Sequence, residues 1–236
     1  MSSLYIDDQK DSQITISERS AFMLRTYAHL LGAVFSFIAL EVLIFKSGYA
    51  AIISGALMEF WPLALGGFII AGWLASKYAY TAESAATQYA GLALYVVTEA
   101  IFFVPMIQLA HWVGGGLLES AAMITIVGFL GLSAVAIASN RDFTYLRALL
   151  MWGGVIALLI ILSAMLFGLT LGVWFSIAMI ALSGVSILHD TSHVLRRYPV
   201  NQHVGAALEL FASIAMLFWY VLRLFIDIAL ALALES

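Results

Sequence analysis

Residues 183–227 read SGVSILHDTSHVLRRYPVNQHVGAALELFASIAMLFWYVLRLFID, which is two strongly apolar runs joined by a short basic turn. Each run carries a carboxylate close to that turn, Asp190 before it and Glu209 after it. An ionisable side chain inside a membrane span is energetically costly and is by default a candidate for function. The stretch therefore predicts two adjacent membrane helices whose acidic side chains lie at similar depth.

The composition of the whole chain agrees with a membrane protein. The chain has 236 residues, of which 64% are hydrophobic and 10% charged, whereas soluble globular domains are about 45–50% apolar and about 25% charged. We therefore predict an all-α polytopic membrane protein. The net charge of −4 comes without a basic patch, so a nucleic-acid partner is not expected. The chain contains no cysteine, which excludes disulfides, thiolate catalysis and thiolate metal sites.

Seven apolar runs are long enough to cross a bilayer, because a hydrocarbon core of about 30 Å needs roughly 20 residues of helix. They are residues 23–45, 60–79, 86–110, 119–139, 144–167, 170–195 and 204–230. The charge-free residues 148–189 would form roughly 63 Å of helix, so the chain must fold back near residues 167–172. Residues 48–58 are too short to span and are expected to form an extracytoplasmic loop or interfacial helix. We expect a seven-transmembrane-helix bundle over residues 22–236, preceded by a polar cytoplasmic tail over residues 1–21.

The distribution of cations predicts the orientation of the bundle, because cytoplasmic loops are enriched in Lys and Arg. With seven spans, the side of the N-terminus collects Lys10, Arg19, Arg25, Lys77, Arg141, Arg147, Arg196 and Arg197. The opposite side has only Lys46, and Arg223 lies within the last span. We therefore expect an inner membrane protein with the N-terminus in the cytoplasm and the C-terminus outside.

Polar residues recur at helical spacing in four of the spans, which predicts an internal polar network facing the bundle interior. The stripes are Arg25 and His29 in the first span, Gln88, Tyr95 and Glu99 in the third, Ser183, Ser186 and Asp190 in the sixth, and Glu209, Ser213, Met216, Tyr220, Arg223 and Asp227 in the last. Glu99 lies near the middle of its span, where it could pair with Arg223. Arg223 and Asp227 are four residues apart, a spacing typical of a mutual ion pair.

Asp190 and Glu209 each lie about five residues from the end of their helix, which places both roughly 8 Å into the span. Two carboxylates close together in a poor solvent cannot both remain charged easily, so the pair should titrate as a unit. Such a pair would act as a proton-sensitive latch, joined by a hydrogen bond when protonated and able to attract a cation such as calcium when ionised. The alternative is that Asp190 is neutralised by Arg25, Arg196 or a histidine and only holds helices together.

A zinc site built from Asp190, His193 and His203 is conceivable, since these residues lie near the same helix ends. No compact metal motif such as HExxH is present, so neither a bound metal nor an enzymatic activity is expected. Histidines at such a turn are more often solvated or capping groups.

Motifs in five parts of the chain, taken in order, resemble the Bax inhibitor-1 family of membrane proteins in its bacterial form. They are Arg25-Thr26-Tyr27-Ala28-His29-Leu30; Gly91-Leu92 with Tyr95, Glu99-Ala100, Phe102 and Pro105; Thr125, Phe129-Leu130-Gly131-Leu132 and Asp142-Phe143 with Leu146; Leu166-Phe167-Gly168 and Leu188-His189-Asp190-Thr191; and Ala206-Ala207-Leu208 with Leu217-Phe218 and Leu222-Arg223. The resemblance covers nearly the whole chain from Phe22.

This resemblance implies seven helices with the C-terminal helix central. It also implies, as in some members, a pH-sensitive calcium leak in which a carboxylate of the sixth helix meets one of the seventh. Asp190 matches the first position, but the second falls on Ser213, and Glu209 lies one turn earlier, about 6 Å closer to the cytoplasm. Some bacterial relatives instead modulate a membrane-anchored AAA protease, which is the alternative expectation and needs no conduction.

Overall fold

The structure is a computed structural model that describes residues 2–81, 84–139 and 141–235, with side chains described for residues 17–79, 84–139 and 141–233. The helices are α1 (Ser2–Lys46), α2 (Ala50–Glu59), α3 (Trp61–Thr81), α4 (Ala85–Val113), α5 (Leu117–Ala138), a short 3₁₀ helix (Phe143–Leu146), α6 (Arg147–Phe167), α7 (Val173–Arg196) and α8 (His203–Glu235). The described ranges contain no strand, which confirms the all-α class.

Six helices are long and apolar enough to cross a membrane, and a seventh crossing requires α2 and α3 to be taken together. These two helices are bent by 102° at their junction. Phe60 leaves the helical conformation there, at φ −110° and ψ 35°, and Pro62 follows two residues later with no backbone N–H to continue a helix. Helix α3 thus lies at the predicted span 60–79 but counts as a crossing only together with α2, so six spans are supported and the predicted seventh is not confirmed. Residues 48–58 contain most of the short helix α2.

The charge-free run between α6 and α7 folds back at the predicted place. Helix α6 ends at Phe167, and Gly168 caps it in the left-handed conformation at φ 67°, with its N–H bonded to the carbonyl of Ala164. A residue with a side chain would be strained at that φ, so the glycine is what allows the turn. Helix α7 starts five residues later at Val173.

The C-terminal helix is the centre of the bundle, as the family resemblance implies. Helix α8 packs against α1, α3, α4, α5 and α7, and residues along its length are almost completely buried, among them Leu210, Leu222 and Ile226. Helix α6 lies at the periphery, where it packs mainly against α7 and the 3₁₀ helix. Side chains of α8 are therefore presented to most of the other helices, and its polar stripe faces the interior.

Helices α3 and α4 are in close backbone contact at Gly91. A Cβ atom at this position would lie 2.7 Å from the backbone oxygen of Ala75 and 2.8 Å from the backbone nitrogen of Ala79. Small residues permit this kind of close backbone approach in membranes, where lipid supplies no hydrophobic drive between helices. The contact fixes the pair of helices that forms one wall of the cavity described below.

Arg19 links α1 to the C-terminal end of α7 through hydrogen bonds to backbone carbonyls. Its guanidinium donates to the backbone carbonyls of Val194 and Leu195, each at 2.8 Å, and to that of Tyr198. These contacts satisfy carbonyl groups that the end of a helix leaves without an intrahelical partner. The predicted tail of residues 1–21 lies mostly outside the residues whose side chains are described, but Arg19 belongs to the packed bundle.

Candidate functional site

Asp190 is held by its own histidine neighbour and by a serine of α8. The Nδ1 atom of His189 lies 2.7 Å from Asp190 Oδ1, and the Ser213 hydroxyl donates to Asp190 Oδ2. The Ser186 hydroxyl lies 3.1 Å from the same Oδ2 and 2.9 Å from Ser213 Oγ, so its single proton serves one of these two acceptors. Only 7% of the Asp190 residue surface is exposed. The carboxylate thus joins α7 to α8 directly.

Glu209 is paired with a different histidine. The Nδ1 atom of His193 lies 2.9 Å from Glu209 Oε1, and the His193 ring packs edge-on against Tyr198 at 5.3 Å. Glu209 precedes Ser213 by one helical turn, so the two side chains share a face of α8. Two contacts between α7 and α8 therefore lie one above the other, a serine–aspartate contact and a histidine–glutamate contact.

The structure brings the two predicted carboxylates into one cluster. One ligand atom from each of His189, Asp190 and Glu209 lies within 4.8 Å of the others. The hydrogen bond predicted between the two carboxyl groups is not among those of the described residues. Glu209 is bonded to His193 instead, and Asp190 to His189 and Ser213. This cluster offers two carboxylates and one imidazole nitrogen to a cation.

The zinc ligands considered from the sequence are not brought together as a set. His193 is engaged with Glu209, and the His203 ring lies 4.8 Å from that of His29 on α1. The cluster that does form contains His189, which was expected to be only a solvated or capping group.

A cavity of about 690 Å³ extends from this cluster along α8. Its polar lining comprises Ser76, Tyr95, Glu99, Ser186, Asp190, Glu209, Ser213, Tyr220 and Arg223. Glu209 and Arg223 are fourteen residues apart on α8, which corresponds to roughly 21 Å along the helix axis. The cavity therefore covers most of a hydrocarbon core of about 30 Å.

Arg223 pairs with the loop before α7 and with the next turn of α8, and not with Glu99. It donates to the Leu171 carbonyl at 2.6 Å, and its Nε lies 3.8 Å from Asp227 Oδ2, as the four-residue spacing predicted. No Glu99–Arg223 ion pair occurs among the described residues.

The level of the two helices explains why Glu99 and Arg223 do not meet. The rings of Phe103 on α4 and Phe218 on α8 stack at 5.5 Å, which sets the relative level of these helices. Along the axis of the bundle, Glu99 lies on one side of this stacked pair and Arg223 lies on the other. Their Cα atoms are therefore separated by roughly 13 Å along the axis.

Arg25 and His29 form a separate polar group away from the cavity. Arg25 is exposed, and its backbone carbonyl accepts from His29 Nδ1 at 2.6 Å. The other ring nitrogen of His29 lies 2.7 Å from the hydroxyl of Tyr89. Neither Arg25 nor His29 lines the cavity, so only part of the predicted polar network faces the same space.

The loop after α5 is tied to the end of α7. The Arg197 guanidinium lies 2.5 Å from Asp142 Oδ2, and the Thr144 backbone N–H donates to Asp142 Oδ1 at 3.0 Å. The hydrogen bond from Arg197, and after it those from Thr144, hold the pKa of the Asp142 carboxyl group well below its usual range. The backbone N–H of Phe143 also donates to Ser192 Oγ of α7. The end of α7 that follows the His189, Asp190 and Glu209 cluster is therefore restrained from both α1 and this loop.

Glu41 is a further buried acid, outside the polar stripes predicted from the sequence. Both of its carboxylate oxygens are buried and have no hydrogen-bond partner among the described residues. Glu41 is a lone charged residue within the otherwise apolar run of the first span. A lone charge in such a run is the sequence signal that indicates a buried acid. Glu41 does not line the cavity.

Comparison with known proteins gives two findings. A family model described as inhibitor of apoptosis-promoting Bax1 matches residues 19–229. A protein of Vibrio cholerae serotype O1, described as an uncharacterized membrane protein, is 31% identical to this chain over 129 residues. That alignment covers 51% of this chain and 55% of the Vibrio protein, so the chain spans about half the length of this relative.

Proposed function

This chain belongs to the Bax inhibitor-1 family, and from that membership together with the cavity we propose that it is a proton-modulated cation leak, with calcium as the expected ion. The gate consists of Asp190 and Glu209, with Ser213 closing α8 onto α7. The observation that carries the proposal is the long cavity that ends at the Asp190 cluster.

The lining of this cavity supports passage of a cation. Three carboxylates, those of Glu99, Asp190 and Glu209, face one space with a single guanidinium, which is already engaged with Leu171 and Asp227. Buried acids in a membrane protein mark ion pathways because the bilayer penalises them elsewhere. Hard cations such as calcium are bound by oxygen ligands of this kind.

Protons act on this gate through the groups that face Asp190. These are His189 on the same helix, Glu209 on α8 and its partner His193, with Ser186 and Ser213 as hydrogen-bonding hydroxyls. Protonated carboxyl groups can hold the helices together by hydrogen bonds, whereas ionised ones repel each other or attract a cation. The closed contact between α7 and α8 thus depends on the proton count of one small cluster.

Reconstitution into liposomes tests the leak. Calcium entry is recorded with an internal dye between pH 6 and pH 8 for the wild type, for Asp190→Asn and for Glu119→Gln. Glu119 is an exposed acid at the start of α5, so its variant controls for loss of one charge. We expect flux that changes with pH and with Asp190→Asn but not with Glu119→Gln. Absence of flux at every pH, with the three proteins identical, would reject a leak.

Modulation of a membrane-anchored AAA protease is the second candidate. It is favoured by one observation: a neutral serine occupies the position that the resemblance assigns to an acid, so the contact with Asp190 can be a permanent structural bond. A truncation lacking residues 2–16 tests this function while keeping Arg19, which holds the end of α7. We expect the truncation to lose co-purification with the protease and to keep the thermal stability of the full chain. Unchanged co-purification would show that residues 2–16 are not the segment that binds the protease.

The inner membrane as location and a cytoplasmic N-terminus belong to the same proposal. The excess of Lys and Arg on one side of the spans supports this orientation. Accessibility of single cysteines introduced after Lys46 and after Arg197 to a membrane-impermeant maleimide tests it, since the natural chain has no cysteine. Labelling of the second position in intact cells would contradict the orientation.

A further inference from the structure

The part of the cavity beyond the gate has an aromatic wall that the leak does not use. The ring of Phe102 lies 4.3 Å from that of Phe68, 5.4 Å from that of Trp61 and 5.3 Å from that of Trp219. All four side chains line the cavity. A hydrated metal ion gains little from such a wall, because its first shell requires oxygen or nitrogen ligands.

A buried carboxylate stands beside this wall. Glu99 precedes Phe102 by three residues on α4, so the two side chains lie on neighbouring positions of one helix face. Only 6% of Glu99 is exposed, and Tyr95 hydrogen-bonds to its carboxyl group. The one cationic side chain that lines the cavity among the described residues is Arg223, about 13 Å further along the bundle. No Lys or Arg of the described cavity lining therefore lies beside the Glu99 carboxyl group, and the cation of a ligand can take that place.

We propose that this cavity binds an organic ammonium ion that has an apolar body, that is, a lipophilic amine. The ammonium group lies against Glu99 and beside the rings of Phe102 and Trp219, and the apolar body fills the rest of the cavity. A cation over an aromatic face gains up to about 2 kcal/mol when it is shielded from water. A volume of about 690 Å³ lies within the usual range of small-molecule sites, roughly 300–1,000 Å³.

The chemistry of the lining favours this occupant over an uncharged lipid chain. A neutral chain would fill the apolar part equally well but would leave the Glu99 carboxyl group without a compensating charge. An ammonium ion supplies that charge, needs no fixed coordination geometry and is weakly hydrated when alkylated. The inference does not depend on conduction, because binding requires only the cavity.

A matched pair of probes tests the inference. Tritiated phenylhexyl-trimethylammonium is equilibrated with the full chain in phosphatidylcholine nanodiscs, and retention is corrected for protein-free discs. The competitor is its uncharged analogue, in which a carbon atom replaces the nitrogen. We expect saturable binding of one probe per chain, with the neutral analogue competing at least about tenfold more weakly than the unlabelled ammonium.

Two variants locate the charge effect. Glu99→Gln should weaken ammonium binding at least about tenfold while leaving the neutral analogue unchanged, and Glu119→Gln should change neither. Phe102→Leu should weaken the ammonium more than the neutral analogue, and it decides the question if Glu99→Gln does not purify as a monodisperse protein. Equal competition by the two probes, or equal binding to wild type and both cavity variants, would overturn the proposal and leave an apolar cavity filled by lipid. Loss of flux alone would not bear on this result.

Discussion

Replacing Ser213 with alanine removes the hydroxyl group that joins α8 to Asp190 on α7. A hydrogen bond to a charged group contributes about 1.5–3 kcal/mol, and about 1.4 kcal/mol corresponds to a factor of ten in an equilibrium. Full loss would therefore shift the balance between closed and open gate by about 10–150-fold. Ser186 is already 3.1 Å from the same carboxylate oxygen and can give its proton to it once Ser213 no longer competes. We therefore expect the lower end, an increase of about tenfold in the open fraction.

The assay is calcium entry into liposomes at one fixed pH, normalised to the amount of reconstituted protein. Ser183→Ala is the matched control. Ser183 lies on α7, the helix of Asp190, and its buried hydroxyl donates to the Met179 carbonyl of that helix at 2.7 Å, so it makes no bond to α8 in this contact. We expect Ser213→Ala to raise the flux about tenfold and Ser183→Ala to leave it within about twofold of the wild type. Both variants lose one hydroxyl, so a difference between them reports the contact between helices.

Equal flux from both serine variants, with both proteins folded and monodisperse, would refute the assignment of Ser213 as the closing contact. A higher flux from Ser183→Ala than from Ser213→Ala would refute it as well, because it would show that packing within α7 limits conduction. The gate would then have to lie outside the Asp190 cluster.

Three further predictions concern the stability of the bundle. Gly91→Ala places a Cβ atom 2.7 Å from a backbone oxygen of α3. The cost of overpacking, about 1–3 kcal/mol, outweighs the gain in helix propensity of up to about 1 kcal/mol, so the thermal midpoint of unfolding in detergent should fall. Gly131→Ala is the control and should not lower the midpoint, because a Cβ atom there meets nothing within 4 Å. Arg197 holds the pKa of Asp142 below its unfolded value, so the stability from this pair is present above about pH 4 and is lost in acid. Asp142→Asn should therefore lower the midpoint equally at pH 6 and pH 8, and the difference from wild type should shrink as the pH approaches 3; a difference that grows in acid would contradict this. Arg19→Ala frees the carbonyls at the end of α7 and should speed amide hydrogen exchange in that turn, and unchanged exchange would show that the contact carries no stability.

The positions of the helices follow from local features of the sequence, and these were predicted well. The length of the charge-free run and the glycine at residue 168 were sufficient to predict that α6 and α7 are separate helices. The separation of residues 48–58 from the span beginning at residue 60 was predicted, but the angle of 102° between α2 and α3 was not. A run of apolar residues indicates burial in lipid and not the direction of a helix. Pro62 was the signal available there.

The sequence predicted which carboxyl groups lie together and not which atoms form hydrogen bonds. Helical spacing placed Asp190 and Glu209 near each other, and the structure brings them into one cluster. Which atoms bond depends on how α7 and α8 are rotated about their axes, and a rotation of one residue changes every partner. A histidine partner of Asp190 was therefore predicted only as one alternative beside Arg25 and Arg196, and the structure identifies it as His189. The pairing of His193 with Glu209 was not predicted, and the expected pairing of Glu99 with Arg223 is prevented by the stacking of α4 on α8.

The bond between Arg19 and the end of α7 has a consequence for biosynthesis. The guanidinium and the Val194 carbonyl are 175 residues apart in the chain, so the acceptor is translated long after the donor has entered the bilayer. Helix α1 also packs against α8, which is translated last. The contacts of α1 with α7 and α8 can therefore form only after nearly all of the polypeptide has been inserted. A nascent chain arrested before α7 would keep Arg19 without the carbonyl groups that it binds in the folded protein.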